Sequence, residues 1–189
     1  MQLVLASSSP RRRQLLERLG VTPARVESPD IDETPLKGEI PSAYALRLAL
    51  AKAEAVARAP HEVVLAGDTT VALGRRILPP ADTPAIQRAL LQQLSGRRHH
   101  VLSAVCVIDR QGRARTRLAD TVVAFKPLSA QEIDAYVELG EGLGKAGGYA
   151  VQGYAEAWVR FLAGSHSGVI GLPLFETRAL LKAAGLPIA

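Results

Sequence analysis

Two short apolar runs, Gln2–Ala6 (QLVLA) and Glu62–Gly67 (EVVLAG), constrain the fold more than any other feature of the chain. Neither alternates with polar residues, and each stops abruptly, the first at three serines and the second at Asp68. That is the pattern of a buried strand. Helical segments separate and follow them. Ser9-Pro10 opens one, with Ser9 as N-cap and Pro10 at the first helical position, and Gly20 closes it after about Leu19. Pro41 to Ala59 carries Leu46, Leu50, Ala53 and Ala57 at helical spacing. Beyond a turn at Gly74 and the Pro79-Pro80 pair, a helix is expected from about Thr83 to Leu94, stopped by Ser95-Gly96. Two β-rich runs, His100–Asp109 and Arg115–Phe125, join through Arg110-Gln111-Gly112 as a hairpin. Ser129 and Glu132 form a capping box for the next helix. Ala157–Ala163 reads as a strand, and Pro173–Ala184 as a closing helix ended by Gly185. Strands alternating with helices around a central hairpin imply an α/β fold, with a mixed sheet and flanking helices.

Composition narrows the class. Apolar residues make up 48% and charged residues 22%, which fits a globular chain and not a disordered one. Aromatics are 4%, so the core is aliphatic and stacking platforms for single-stranded nucleic acid are scarce. Cys106 is the one cysteine, which excludes an intrachain disulfide framework and a thiolate zinc site. No stretch approaches the roughly 18–20 apolar residues that span a bilayer. Gln2–Ala6 is too short for the apolar core of a signal peptide. The expectation is a soluble, cytoplasmic protein. The net charge of +5, from 23 Lys and Arg against 18 Asp and Glu, fits an anionic ligand without implying DNA or RNA.

The segment Ser7-Ser8-Ser9-Pro10-Arg11-Arg12-Arg13 places hydroxyls, free helix amides and three guanidinium groups where a strand turns into a helix. A helix N-terminus attracts anions, so arginines in its first turn are electrostatically misplaced unless an anion sits there. The alternative is a capped helix whose arginines face solvent. It is not a Walker A loop, since the spaced glycines and Gly-Lys-Ser/Thr are missing. Asp68, at the end of an apolar strand, suits a general base or a metal ligand, or a turn aspartate capping its own backbone. Asp30, Asp32 and Glu33 offer oxygens to magnesium or manganese, or form a solvated acidic loop. Lys52 lies near the apolar side of its helix and either reaches phosphate or snorkels to solvent. Gly140 to Gly153 holds six glycines in fourteen residues, together with Lys145 and Gln152. The glycines allow close backbone approach to a ligand there, and a glutamine can read a base edge. His99, His100 and His166 have no partners at metal-ligand spacing and fit surface or packing roles. Cys106 and Trp158 fit the core. No Gly-x-Ser-x-Gly hydrolase signature is present.

Six stretches, LASSSPRRRQLLERLG (Leu5–Gly20), DIDE (Asp30–Glu33), AGDTTV (Ala66–Val71), LSGRRHHVLSAV (Leu94–Val105), KAGGYAVQG (Lys145–Gly153) and GVIGLPLFET (Gly168–Thr177), together resemble the Maf family of nucleoside triphosphate pyrophosphatases, also described as septum-formation inhibitors. The likeness is greatest to the branch acting on dTTP and UTP, which carries the pair seen as Asp68-Thr69 and the glutamine seen as Gln152. The resemblance implies one Maf-like domain over residues 1–189, elongated and two-lobed around a central cleft, similar to inosine triphosphatases, and often a homodimer. It implies hydrolysis of a nucleoside triphosphate to monophosphate and pyrophosphate with a divalent cation, Mg2+ or Mn2+. Asp68 takes the general-base position. Ser7, Arg11, Arg12, Lys52 and Lys145 hold substrate, Glu33 and Asp68 lie near the metal, and Arg11, Thr69 and Gln152 match positions tied to base selectivity. One departure matters. The family usually places Lys-Pro after a short apolar segment here, whereas this chain has Ile77-Leu78-Pro79-Pro80, with Pro79 in place of the lysine. A lysine there offsets phosphate charge, and its loss lowers activity unless Arg75 or Arg76 reaches the same space. The alternatives are a nucleotide-binding regulator of division with little turnover, and a nucleic-acid binder using the arginine cluster.

Overall fold

One seven-stranded sheet organises the computed structural model, which describes residues 1–188. Its strands are β1 (Gln2–Ala6), β2 (Arg25–Glu27), β3 (Glu62–Leu73), β4 (Arg76–Leu78), β5 (Arg98–Ile108), β6 (Ala114–Phe125) and β7 (Val159–Ala163). They lie in the order β2-β1-β3-β5-β6-β7, with β4 folded back on the far end of β3. β1 runs parallel to β2 and β3, and the remaining pairs are antiparallel, so the sheet is mixed as expected. The helices are α1 (Pro10–Glu17), α2 (Pro41–Glu54), α3 (Pro84–Leu94), α4 (Ala130–Leu139), α5 (His166–Ile170) and α6 (Leu174–Ala183).

Period-two alternation assigns each residue of β3 to one face. Val63, Leu65 and Val71 join the larger core, with Leu16 of α1, Leu91 of α3, Tyr136 of α4, Leu180 of α6, Phe125 and Trp158. Val64, Ala66 and Ala72 join a smaller core, with Ala45, Ala49 and Ala53 of α2. Alanines at every fourth position give α2 a flat flank, which lets the helix seat close to the sheet. Cys106 is fully buried in this second core.

The structure departs from the sequence reading at several boundaries. β3 does not end at Gly67 but runs through Asp68 to Leu73. β5 pairs with it from Val64 to Ala72, so the ladder satisfies the polar stretch, whose β-branched Thr69, Thr70 and Val71 suit a strand. Asp68 therefore sits inside a strand and not at its mouth. α2 stops at Glu54 instead of Ala59, because Ala59 precedes Pro60 and gives its N–H to Glu62 Oε2 (2.8 Å). Ala157 and Trp158 belong to a 3-10 turn, Tyr154–Trp158, and the strand begins at Val159. β2, β4 and α5 are three to five residues long, too short to display a period. The hairpin at Arg110–Gly112 and the Ser129–Glu132 capping box are present as expected. Among the described residues, no helix is long and apolar enough to cross a membrane.

Phe125, Tyr136, Tyr149 and Trp158 gather on the larger core. Trp158 packs edge-on to Tyr136 (4.8 Å) and Phe125 (6.0 Å), and His99 to Phe125 (5.1 Å). Trp158→Ala should cost about 3–5 kcal/mol in urea unfolding. Burial pushes the His99 imidazole down to about 4 from 6.5, with His100 adding a smaller effect. Between those values the unfolded chain binds a proton that the native chain refuses, so stability falls as pH drops through that window. His99→Phe should show a shallower loss of stability from pH 6.5 to 4.

Candidate active site

At the end of β1 the chain turns into α1, and the polar work is divided unexpectedly. Ser9 has the extended backbone of an N-cap, but its side chain makes no capping bond. Ser7, buried behind it, accepts hydrogen bonds from the Ser9 N–H (3.2 Å) and from Arg12 Nη1 (2.9 Å). Arg12 runs inward across the sheet. Its Nε donates to the Gly171 carbonyl (2.8 Å), and its Nη2 lies 3.5 Å from Thr69 Oγ1. Gly67 makes this path possible, since a Cβ there would lie 3.2 Å from the Ala104 carbonyl and 3.4 Å from Arg12 Nε. Burial lowers the Arg12 pKa, the Asp68 carboxylate raises it, and Arg11 lowers it again. Arg13 faces outward and pairs with Glu17. No hydrogen bond or ion pair engages Arg11 among the described residues. Two of the three arginines are thus turned to the interior, and one of these is uncompensated.

On the α2 face of β3, Lys52 Nζ bridges two carboxylates, Asp68 Oδ1 at 2.9 Å and Glu33 Oε2 at 3.0 Å. Thr70 Oγ1 donates to Asp68 Oδ2 (2.8 Å). Asp68 and Lys52 are buried, whereas the Glu33 side chain is half exposed. Tyr44, two helical turns before Lys52, donates its hydroxyl to the Glu33 carbonyl (2.8 Å). Burial, then Asp68 and Glu33, push that hydroxyl up to about 12. Arg47 pairs with Glu39 (2.7 Å) and donates to the Thr34 carbonyl (3.2 Å), so α2 holds the acidic loop from both ends. Asp32 is spent on the Thr34 N–H, and Asp30 is exposed.

Asp68 and Thr69 stand on the wall between two cavities. The smaller, about 180 Å3, is lined by Arg11, Arg12, Lys145, Tyr149, Gln152 and Gly171, among others. Burial and then Arg11 lower the Lys145 pKa, Glu141 raises it, and Lys145 Nζ donates to the Glu141 carbonyl. The larger, about 440 Å3, is lined by Glu33, Tyr44, Thr70 and Pro79, with Ile77, Leu78 and Pro80. No lysine or arginine lines it. Arg75 and Arg76 are exposed at the β3–β4 turn and line neither cavity, so neither takes the place of the missing lysine. Pro79 and Ala81 bond to the backbone of Gly144, Lys145 and Gly147, which ties the proline segment to the glycine-dense loop.

The fold therefore brings Arg11, Arg12, Asp68, Thr69, Lys145 and Gln152 onto one cavity. Glu33 meets Asp68 through Lys52, and Ser7 acts on Arg12 without lining either cavity. Sequence reasoning missed Tyr44 and Gly171. Tyr44 shares a helix face with Leu48 and Lys52, a signal that eight-residue spacing contained. Lys52→Met should cost about 3–5 kcal/mol in denaturant unfolding, because it leaves Asp68 buried and unpaired. Glu33→Gln removes a half-exposed partner and should cost less than about 1 kcal/mol.

The family model described as Maf-like protein matches residues 2–184. The dTTP/UTP pyrophosphatase of Sphingopyxis alaskensis is 70% identical, over 98% of this chain and 98% of its own. That of Novosphingobium aromaticivorans is 59% identical, over 99% of this chain and 94% of its own. Among solved structures, the Staphylococcus aureus Ham1 protein aligns over 97% of each chain, at 15% identity and a TM-score of 0.48. The motifs, the matched span and the full-length identity agree, and the chain belongs to the Maf family.

Proposed function

We propose that this protein hydrolyses dTTP and UTP to the nucleoside monophosphate and pyrophosphate. The observation that carries the reading is one cavity ringed by Arg11, Arg12 and Lys145, with Asp68 at its wall and Arg11 unengaged. Guanidinium and ammonium groups held together against their own repulsion suit a polyphosphate, which completes the charge balance. The two relatives are named as dTTP/UTP pyrophosphatases, which supports the choice of thymine and uracil, and Thr69, Arg11 and Gln152 line the same cavity. Gln152 presents both an amide donor and an acceptor, which match the carbonyl and N–H edge of those bases.

In this reading water attacks the α-phosphorus, the bond from that phosphorus to the bridging oxygen breaks, and pyrophosphate leaves. Asp68 takes the proton from the attacking water. Its carboxylate uses two of about four acceptor positions on Lys52 and Thr70, which leaves lone pairs for that task. Arg11 and Arg12 hold the phosphates in line, and Gly171 with Ser7 fixes Arg12 in its pose. Among the described residues, no cluster of three or more His, Cys, Asp or Glu converges as a metal cage. Glu33 and Asp68 meet on the Lys52 ammonium and together would offer carboxylate oxygens to Mg2+ or Mn2+, which take one or two carboxylates and complete their shell with phosphate and water. A cation held by Glu33 and Asp68 would neutralise phosphate charge beside Asp68, on the wall that the two cavities share.

The test is pyrophosphate release from dTTP, UTP, CTP, GTP and ATP with magnesium or manganese. Release from dTTP and UTP should vanish with chelator, and Asp68→Asn should lower kcat by about 10²–10⁴. Tight triphosphate binding without product, in protein confirmed folded, would instead favour a nucleotide-binding regulator.

A further inference from the structure

The glycine-dense loop carries Lys145, Tyr149 and Gln152 to the smaller cavity, yet it has no regular structure of its own. Something must hold it, or the base pocket has no fixed depth. Three consecutive residues of the loop are gripped from behind, each by a fully buried polar side chain of a different element. Gln87 Nε2 of α3 donates to the Gly148 carbonyl (3.3 Å). His99 Nε2 of β5 lies 2.8 Å from the Tyr149 hydroxyl. The Tyr136 hydroxyl of α4 accepts from the Ala150 N–H (3.0 Å). From the front, Gly147 passes so close to the sheet that a Cβ would stand 3.0 Å from Val71 Cγ1.

The middle grip differs from the other two. Gln87 and Tyr136 hold backbone, while His99 holds the side chain of a residue that itself lines the cavity. His99 Nδ1 and Gln87 Oε1 have no hydrogen-bond partner, although both are buried. An orphaned buried polar atom costs stability, so a core built only for stability would place apolar residues at these positions. We propose that His99 is a positioning residue for base selectivity, fixing Tyr149, and with it the wall that presents Gln152, at the depth that fits thymine or uracil. His99 touches no substrate and acts through Tyr149. The inference rests on the pyrophosphatase reading.

The experiment measures kcat and KM for dTTP and CTP, together with the melting temperature, in His99→Phe, Tyr149→Phe and the double variant. Each single substitution strands one buried polar group, whereas the double removes both, so melting should drop in the singles and largely recover in the double. Positioning does not recover, because the bond is gone. The preference for dTTP over CTP should fall about tenfold or more in every variant that folds, mainly through KM, and stay lost in the double. A preference unchanged in the double, or one that returns along with the melting temperature, overturns the proposal. If the wild type releases pyrophosphate from neither nucleotide, the underlying reading fails separately. Amide hydrogen exchange at Gly148–Ala150 then decides the grip: faster exchange in the double supports it, and unchanged exchange overturns it.

Discussion

The ion pair between Lys52 and Asp68 joins helix to sheet at the point where chemistry is placed, and much of the architecture serves it. A lone carboxylate inside a doubly covered strand is untenable, because the charge loses water and gains nothing in return. Lys52 supplies the counter-charge only because α2 lies against β3, and α2 lies there because Ala45, Ala49 and Ala53 present no bulk to Val64 and Ala66. The same ammonium gathers Glu33, whose loop is in turn fastened by Tyr44 and Arg47 from the helix that carries Lys52. Helix, strand and acidic loop are thus fixed by one another. The opposite face follows a parallel logic with arginine as the link, for Arg12 joins Ser7 just after β1, Thr69 of β3 and the turn at Gly171.

Most strands and helices were legible because their apolar residues repeat with a clear period. QLVLA, the capping box at Ser129 and the Arg110–Gly112 hairpin are local signals that need no tertiary context. What was illegible depends on partners distant in sequence. In Gly67-Asp68-Thr69-Thr70 the threonines suit a strand, but Gly67-Asp68 reads as a stop, and the ladder that carries the strand through is supplied by β5, more than thirty residues later. The same holds for Ser7, which accepts from Arg12 five residues on, while the Ser9 side chain makes no capping bond.

For the site, residue types at a strand–helix turn pointed to an anion before any geometry was available, and Asp68 stood out as a carboxylate beside an apolar run. Two facts required the fold. One is that Lys52 bridges two acids, an arrangement outside both alternatives that helical spacing offered, phosphate or solvent. The other is the division of labour between cavities, one cationic and one without a lysine or arginine, which follows from where Pro79 and the glycine-dense loop meet.

The order in which the sheet is assembled carries one further consequence. β1 is the first strand to be synthesised, yet Gln2 pairs with Glu62 and Ala6 with Ala66, so its central partner is translated only much later. At roughly 5–20 residues per second, that leaves β1 waiting for several seconds on the ribosome. The antiparallel β3, β5 and β6 are neighbours in the sheet, and the connections between them are shorter than that from β1 to β3, a topology that closes sooner. Ser7, Arg11 and Arg12 are attached to the strand that waits. The bonds of Arg12 to Thr69 and to the Gly171 carbonyl therefore form only once β1 has docked on β3.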